Sequence, residues 1–572
     1  AGTEAPRPNI VLVLCDQLRW DAVGYAAPGS RAARTPALDR LAAEGLSVQY
    51  AWSSTPTCTP ARAALLTGLS PWRHGMLGYG SVAARYEAEL PRALAAAGYL
   101  TAAIGKNHFG WDPEADRGVS HGFHTTSLYD GLGAWDAASP HSWKGEWDDY
   151  DRWFARQKPG SDPQATLDDV DGDGWNTWQA RRYIYDEALH PTAWVGQQAV
   201  RFIQEQPVSP SAGRPFFLKV SFHRPHSPYD PPQRLLDAVR AEELRPVRLC
   251  PGAEASRIAP AGGEDWCLQF RGAPGDPPGC GPSSPDAWCG MMPENETTLS
   301  RRAYAANVNF VDEWVGHILT ALEERRLLER TWILFTSDHG DGQGDMFHWR
   351  KGYPYEFSAH VPMVLRWPQE WASRQPPESL RVARGSVVAP PLVAELRDVF
   401  HTLADAAGIS RNSSLMPPQL FHETDGRSLL CLLRDPTGSR HCDYPPNPGR
   451  WRRWIDMEHS TVYNVSNHWS ALTDGMSKYV YIAGTGDEQL FNLSEDPYEG
   501  VDLSKSAHHQ AELALWRGRL ASQFEAENRG GAWVKGGALV RRAQGTTYSP
   551  NYPGQHSSSG EAARTADQTV LV

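Results

Sequence analysis

The feature that most constrains the fold is a series of short, almost wholly apolar segments that recur along the chain. Residues 9–15 read Asn-Ile-Val-Leu-Val-Leu-Cys, and similar segments cover residues 99–104, 215–222 and 332–336. Such segments are typical of strands buried on both faces of a parallel sheet. Helical patterns separate them, at residues 35–44, 90–97, 192–205 and 308–322. The alternation predicts an α/β fold with a mostly parallel central sheet covered by helices.

Polar side chains follow these predicted strands at the points where the strands end. They are Asp16 after the first strand, Lys106 and His108 after the second, His223 and His226 after the third, and Asp338 and His339 after the fourth. In sheets of this kind, ligands bind beyond the carboxyl ends of the strands. The recurrence therefore predicts one composite active site.

The pattern changes from about residue 440. Short segments at residues 461–464, 470–473, 479–482 and 489–492 predict antiparallel strands, and a final helix is expected at residues 508–525. Residues 529–572 are rich in Gly, Ser and Pro and lack core-forming periodicity. We therefore expect a small C-terminal antiparallel α+β subdomain over residues 441–528, followed by a low-complexity tail that is disordered or lies over the surface.

Composition excludes several classes of protein. The net charge of -12 argues against a nucleic-acid partner, because a protein that binds nucleic acid has a basic face. It leaves anionic substrates open, because a few local cations or a metal ion can override the overall balance. No run of 18 apolar residues occurs, so we expect no membrane span. The chain begins at Ala1 without an apolar leader, and we expect a mature chain whose leader has been removed.

The cysteines predict disulfides. Four of them crowd a Gly- and Pro-rich insertion at residues 245–295, and two more lie eleven residues apart; the six are Cys250, Cys267, Cys280, Cys289, Cys431 and Cys442. We expect two disulfides in the insertion and one Cys431–Cys442 disulfide. The alternative is a zinc site, but the cluster contains no CxxC pair and no His. Together with four Asn-x-Ser/Thr sequons, the cysteines favour a secreted or lysosomal protein, or a periplasmic one if it is bacterial.

One of the two remaining cysteines begins an informative motif. Cys58-Thr59-Pro60-Ala61-Arg62 is followed by Thr67-Gly68. This segment resembles the type I sulfatases, whose CxPxR…TG signature directs oxidation of the cysteine to formylglycine. Taken alone, the segment also fits a helix that starts at Pro60 beside a small buried cysteine. A cysteine hydrolase would require a dedicated His partner, which the motif does not specify.

Further segments resemble the same family, in order along the chain. They are Pro8–Gln17, Gly105–His108, Pro225–Pro228, Thr336–Asp341, Lys351–Glu356 and Leu490–Pro497. The resemblance implies an alkaline-phosphatase-like α/β sandwich, with a catalytic domain over residues 1–440. Two insertions interrupt that domain, a Trp-rich one at about 127–190 and the Cys-rich one at about 245–295.

The resemblance also implies a metal site. The matching ligands are Asp16, Gln17, Asp338, His339 and an oxygen of residue 58. Calcium is the usual ion of the family, and manganese and magnesium are alternatives. The family often has two consecutive Asp residues where this chain has Asp16-Gln17. Gln17 still offers a neutral carbonyl oxygen, but the site loses one negative charge.

The catalytic residues implied by the resemblance are Cys58, Arg62, Lys106, His108, His226 and Lys351. Formylglycine at position 58 would hydrate, and one of its hydroxyls would attack sulfur. His226 or Lys351 would protonate the leaving alcohol, and His108 would deprotonate the second hydroxyl to release sulfate. Lys106, Lys351 and Arg62 supply positive charge, and Arg62 also orients the ligands. The expected maturation partner is the formylglycine-generating enzyme.

Several other interpretations stay open at this point. Residues 169–174 resemble the start of an EF-hand loop but also fit a solvated acidic loop, because Ala180 replaces its Glu. The Trp residues of the insertion fit either the core or a surface for sugar or aromatic groups. His348 and Arg350 lie close enough in sequence to Lys351 to contact a leaving group. The expected substrate is an organic sulfate monoester, with a sulfated carbohydrate as the natural one. The alternatives are a phosphonate monoester or phosphodiester hydrolase of the same fold and, if Cys58 stays unmodified, a silent binding protein.

Overall fold

A computed structural model gives the fold of the chain. The structure describes residues 7–26, 32–109, 120–131, 148–161, 163, 180–207, 213–251, 266–271, 289–373, 375, 382–388, 392–409, 425–435, 451–461, 463 and 467–556. The EF-hand-like residues 169–174 and Trp135, Trp143, Trp147, Trp175 and Trp178 of the insertion lie outside this part of the chain.

An eight-stranded, mostly parallel sheet forms the centre of the fold, as predicted. Its strands are β1 (Asn9–Asp16), β2 (Leu46–Val48), β4 (Leu100–Gly105), β5 (Thr125–Leu128), β6 (Phe216–Pro225), β7 (Thr331–Ser337), β8 (Met363–Arg366) and β9 (Ser386–Val388). A separate parallel pair consists of β3 (Ala51–Trp52) and β10 (Ala394–Glu395). The order in the main sheet is β5-β4-β6-β1-β7-β8-β2-β9, and only β8 runs antiparallel to its neighbours.

Strand β1 lies in the interior of this sheet, between β6 and β7. All eight of its residues are buried, because apolar clusters pack on both faces of the sheet. This burial explains why the segment is apolar without alternation. It also brings Asp16, at the end of β1, next to the ends of β6 and β7.

Helices cover both faces of the sheet. The helices of the described residues are α1 (Pro36–Ala43), α2 (Cys58–Thr67), α3 (Pro71–His74), α4 (Leu90–Ala96), α5 (Asp149–Gln157), α6 (Pro191–Glu205), α7 (Gln233–Ala238), α8 (Glu294–Glu324), α9 (Glu356–Ala359), α10 (Gln369–Ala372), α11 (Arg397–Ala406), α12 (Leu430–Arg434) and α13 (Gln510–Ala526). In the longest, α8, the buried Asp312 carboxylate accepts hydrogen bonds from Ala37 N and Leu38 N at the start of α1. This side chain caps one helix from another and so joins the two. None of the described helices is both long enough and apolar enough to span a membrane.

The C-terminal sheet is antiparallel, with strands β11 (Ile455–His459), β12 (Trp469–Thr473), β13 (Ser477–Ile482) and β14 (Asp487–Asn492) in that order. The prediction of its first strand at residues 461–464 was wrong. Thr461 and Tyr463 have φ values of 60° and 52°, in the left-handed region that excludes a strand. The strand lies a few residues earlier, and α13 packs on the sheet as expected.

The residues beyond Arg529 return to the catalytic part of the chain. A short hairpin, β15 (Val534–Lys535) and β16 (Ala538–Leu539), is followed by residues that bond to the loop after α3. Leu77 N and Gly78 N both donate to Thr547 O, at 2.8 and 3.1 Å. The sequence predicts a tail that is disordered or lies over the surface; its described part, up to residue 556, lies against the catalytic part of the chain and makes specific contacts.

Four of the six cysteines that were predicted to form disulfides are disulfide-bonded in the described part of the chain. Cys250 and Cys267 form a disulfide within the insertion. Cys289 and Cys431 are each disulfide-bonded as well, but not to each other. The other two predicted cysteines, Cys280 and Cys442, lie outside the described residues. Cys15 and Cys58 are free and buried.

Candidate active site

Cys58 lies where the carboxyl ends of the central strands meet. It is the first residue of α2 and is only 1% exposed. Its Sγ lies 3.1 Å from Lys351 Nζ, 3.3 Å from His339 Nε2 and 3.7 Å from Asp16 Oδ1. Residues far apart in the sequence therefore converge on this one atom, as the positions of the polar residues predicted.

Arg62 lies one helical turn after Cys58 in α2 and is 1% exposed. Its guanidinium donates to Asp338 Oδ2 from both Nε and Nη2, at 3.1 and 2.8 Å. Its Nη1 donates to Lys106 O at 2.7 Å, and Nη2 lies 3.3 Å from Asp16 Oδ2. One rigid planar cation thus holds the ends of β1, β4 and β7 in fixed relation.

Four buried residues form a group that can bind a metal ion. Asp16, Cys58, Asp338 and His339 each offer one ligand atom, and these atoms lie within 4.8 Å of one another. Two carboxylates beside an imidazole favour a hard divalent cation. The structure therefore brings four of the five predicted metal ligands together.

Gln17, the remaining predicted ligand, has an unsatisfied oxygen. Its Nε2 donates to Asp341 Oδ2 at 2.5 Å, so its amide is fixed in one orientation. Its Oε1 is buried and accepts no hydrogen bond from the described residues. A buried acceptor without a donor is costly. Next to Asp16, an unsatisfied carbonyl oxygen fits the chemistry of a cation ligand.

Lys351 and His226 form a buried pair beside Cys58. Lys351 Nζ donates to His226 Nε2 at 2.8 Å. The other ring nitrogen of His226, Nδ1, lies 2.7 Å from Ser227 O, which can only accept. These contacts assign the proton of the neutral imidazole to Nδ1. The ammonium group of Lys351 therefore contacts both Cys58 Sγ and an imidazole acceptor.

Lys106 supplies a second cation from the end of β4. Its Nζ lies 2.6 Å from Asp16 Oδ2 and 3.9 Å from Cys58 Sγ. With Arg62 and Lys351, it gives the site three positive side chains against the carboxylates of Asp16 and Asp338. These three cations outnumber the two carboxylates that they contact, although the chain as a whole is acidic.

These charges change the proton affinities of the site. Burial and Asp16 oppose ionisation of Cys58, but Lys106, Lys351 and His339 outweigh them and lower the pKa of the thiol. Burial lowers the pKa of His226 well below its usual value, and Lys351 adds to this effect. Burial and Lys106 lower the pKa of His108 in the same way. Both imidazoles are therefore neutral at physiological pH.

His108 follows β4 and has a φ of 52°. The buried Asp130 carboxylate holds this conformation, because its Oδ1 accepts from Asn107 N at 2.6 Å and from His108 N at 3.1 Å. The Nε2 of His108 lies 3.1 Å from the hydroxyl of Tyr79. Neither Asp130 nor Tyr79 is predicted from the sequence, because neither belongs to a recognisable motif.

The C-terminal subdomain also reaches the site, which the sequence does not indicate. His459, at the end of β11, lies 2.9 Å from the hydroxyl of Thr57, the residue before Cys58. Tyr463 Oη accepts from Lys351 N at 3.3 Å. His459 thus contacts the residue before Cys58, and Tyr463 contacts the backbone of Lys351.

The structure describes three of the residues that the sequence suggests for substrate contact. His348 is buried in an aromatic cluster with Phe270 and Tyr353, and burial lowers its pKa to about 3. It is a core residue, so the expectation that it contacts a leaving group is not supported. Arg350 is buried, and its peptide N–H donates to Asp341 Oδ1. Trp153, the one Trp named from the insertion that is described, packs against Tyr150 and Trp194.

Comparison with known proteins agrees with this geometry. A sequence model of the Sulfatase family matches residues 8–409. An arylsulfatase from Clostridium perfringens is 32% identical over 539 residues, which cover 94% of this chain and 98% of that protein. This chain belongs to the sulfatase family. It is therefore a sulfuric ester hydrolase, and the family is metal-dependent, as the buried Asp, Cys, Asp and His group indicates.

Other relatives of this sulfatase carry the names of different activities. A choline-sulfatase from Rhizobium meliloti is 28% identical over 534 residues, covering 91% of this chain and 88% of that protein. The crystal structure of the phosphonate monoester hydrolase of Agrobacterium radiobacter has a TM-score of 0.67 and 22% identity, and covers 94% of this chain and all of that one. At this identity, the structural likeness shows the fold alone. It confirms the sandwich with a small C-terminal antiparallel sheet.

Proposed function

We propose that this sulfatase hydrolyses sulfate monoesters with a formylglycine residue made from Cys58 and one divalent metal ion. The observation that carries the proposal is the position of Cys58. Its Sγ lies within 4 Å of Lys351, His339, Asp16 and Lys106. Reactive cysteines lie in electropositive surroundings of this kind, whereas structural buried cysteines are inert.

Asp16, Gln17, Asp338, His339 and residue 58 would hold the metal ion, and calcium is the proposed ion. A bound divalent cation supplies positive charge that lowers the pKa of a coordinated hydroxyl and polarises the ester. Hydrated formylglycine supplies an oxygen nucleophile at position 58. The remaining steps depend on side chains that the chain provides itself.

Lys106, Lys351 and Arg62 make the site receptive to a sulfate group. A sulfate monoester is negatively charged and repels nucleophiles, so fixed cations around residue 58 lower this barrier. Arg62 is saturated by Asp16, Asp338 and Lys106 O. We therefore assign it to orientation, and assign direct contact with the sulfate oxygens to the two lysines.

The Lys351–His226 pair is proposed to protonate the leaving alcohol. Lys351 Nζ lies 3.1 Å from Cys58 Sγ and donates to His226 Nε2 at 2.8 Å. Neutral His108, on the β4 side of the site, is proposed to accept a proton when sulfate is released. In this division the base follows β4, whereas the two residues of the acid follow β6 and β7.

For the substrate, we propose a sulfated carbohydrate, with aryl sulfates as artificial substrates. The name of the Clostridium perfringens relative supports the aryl sulfates. The half-buried Tyr79 and Tyr463 beside His108 and Lys351 support a ring-shaped leaving group, because aromatic faces stack on sugar and aryl rings. The proposed location is secreted or lysosomal, or periplasmic in a bacterium, in keeping with the disulfides.

The deciding experiment combines mass spectrometry with an activity assay. The chain is produced with and without a formylglycine-generating enzyme, and the tryptic peptide of residues 41–62 is weighed. We expect a loss of about 18 Da, the change from thiol to aldehyde, only with the enzyme. Release of sulfate from an aryl sulfate should follow the modified fraction.

Matched variants complete this test. Cys58→Ala should abolish activity, whereas Cys15→Ala removes the other free thiol of the described residues and should retain it. Unmodified Cys58 together with full activity would contradict the proposal. Turnover of a phosphodiester above that of the sulfate ester would favour the phosphonate hydrolase activity, and no turnover of either would favour a binding protein.

A further inference from the structure

The loop after α3, residues 75–81, is enclosed by the C-terminal part of the chain. On one side, the segment of residues 545–552 lies along it, and Ser549 N donates to Gly75 O at 2.7 Å. The Tyr548 hydroxyl accepts from Ser81 N at 3.0 Å, and the Tyr552 hydroxyl donates to Ser81 O at 2.7 Å. We call residues 545–552 the tail clamp.

The opposite side of the loop is fixed as well. Ser460 N, after β11, donates to Leu77 O at 2.7 Å. Gly80 N donates to the hydroxyl of Thr59, in the first turn of α2, at 3.2 Å. The loop therefore connects the tail clamp, the C-terminal subdomain and the helix that carries Cys58.

The fit is so close that glycines are needed at the contacts. A Cβ atom at Gly75, where φ is +88°, would lie 2.4 Å from Tyr552 Cα. A Cβ atom at Gly80 would lie 2.3 Å from the Tyr548 hydroxyl oxygen. Since real Cβ contacts are longer, no side chain fits between the loop and the tail clamp.

The loop places one side chain against the active site. The Tyr79 hydroxyl lies 3.1 Å from His108 Nε2, and the two rings meet edge to face at 5.7 Å. The peptide N–H of His108 is fixed by Asp130, as described above. Tyr79 therefore acts on the imidazole ring, whose orientation the backbone contact alone does not set.

We propose that Tyr79 is a positioning residue, which orients the imidazole of His108 through its hydroxyl, and that the tail clamp fixes Tyr79 in place. The kinetic part of this inference rests on the proposed role of His108. The structural part does not rest on that role, because it concerns only whether the tail clamp restrains residues 75–81.

The kinetic test uses Tyr→Phe variants, which remove only a hydroxyl. Tyr79→Phe loses one neutral hydrogen bond and should lower kcat for sulfate release about 5- to 10-fold. Tyr548→Phe should lower kcat by a smaller factor. Tyr99→Phe is the matched control, because its hydroxyl donates to Pro8 O at 3.0 Å at the opposite end of the sheet. It should leave kcat unchanged.

The double variant separates positioning from general stability. If Tyr548 acts through Tyr79, Tyr79→Phe/Tyr548→Phe should have the kcat of Tyr79→Phe alone. Effects that multiply would overturn the proposed route, and an unchanged kcat in Tyr79→Phe would overturn the role of Tyr79. A purely structural contact would lower the melting temperature without this pattern.

Hydrogen exchange gives a readout that does not require turnover. In Tyr548→Phe, amide exchange in residues 75–81 should become about 5-fold faster, the factor for one lost hydrogen bond of about 1 kcal/mol. Tyr99→Phe should leave the exchange of this loop unchanged. Unchanged exchange in Tyr548→Phe would refute the clamp even in an active enzyme. Faster exchange in a protein without sulfatase activity would support the clamp and count against the proposed function alone.

Discussion

The strongest stability prediction concerns Lys478, which is completely buried between two carboxylates. Its Nζ lies 2.6 Å from Glu356 Oε1, 2.7 Å from Glu499 Oε1 and 2.8 Å from Pro354 O. The side chains of Glu356 and Glu499 are 4% and 1% exposed. Replacing Lys478 with Met would leave two buried carboxylates without this cation.

The magnitude follows from the cost of an uncompensated buried charge. Removing one partner of a buried ion pair destabilises a protein by about 3–5 kcal/mol, because the remaining charge stays desolvated. At about 2 °C per kcal/mol, the value for larger domains, Lys478→Met should lower the melting temperature by about 6–10 °C. The direct loss of attraction is larger, but desolvation of the lysine opposes it.

Thermal unfolding at pH 7.5 measures this effect. Lys535→Met, at an exposed lysine of β15, is the control and should melt like the wild type. Lys478→Met/Glu356→Gln should recover part of the loss, because it removes the carboxylate whose pKa lies below its usual value. A melting temperature of Lys478→Met within about 2 °C of the wild type would refute the reasoning, since the cluster would then be worth no more than an exposed pair.

Further predictions concern catalysis, pH and metal. Lys351→Gln, with Lys505→Gln as an exposed control, should lower kcat/KM for an aryl sulfate by about 100-fold or more, the usual loss for one charge-stabilising donor; a loss below about 5-fold would contradict its role. Burial raises the pKa of Glu499 to about 7, so the stability that its protonation provides is complete below about pH 4.3 and is lost as the pH rises through 7. The free energy of unfolding, measured in urea, should therefore decrease less from pH 5 to pH 8 in Glu499→Gln than in the wild type. An equal decrease in both proteins would refute this. Chelation should lower both activity and melting temperature, and calcium should restore both; restoration by magnesium or manganese alone would correct the proposed ion, and no effect of chelation would count against the metal site.

The sheet and the convergence of the site can be predicted from the sequence because both follow from local patterns. Strands such as β1 are apolar throughout, and a parallel sheet brings the residues after its strands to one edge. The pattern of the sequence alone is therefore sufficient to place Asp16, Lys106, His226 and Asp338 together. The position of β11 cannot be predicted in this way, because the left-handed conformation at Thr461 depends on surrounding loops and not on its own residue type.

The supporting contacts of the site are also beyond sequence patterns. His459 and Thr57 are 402 residues apart, and neither belongs to a motif that points to the other. Tyr79 and Asp130 lie in segments without regular periodicity. Such pairings arise from tertiary packing, which spacing along one chain does not encode.

The burial of Cys58 sets a time limit on the proposed conversion of this residue to formylglycine. A thiol that is 1% exposed beneath Lys351 and His339 is out of reach of another enzyme once the site has assembled. The site cannot assemble until His339 has been synthesised, 281 residues after Cys58. At roughly 5–20 residues per second, ribosomes take about 15–55 s to add that length of chain. The order of synthesis thus leaves the cysteine accessible for this interval, and slow folding of the central sheet would prolong it.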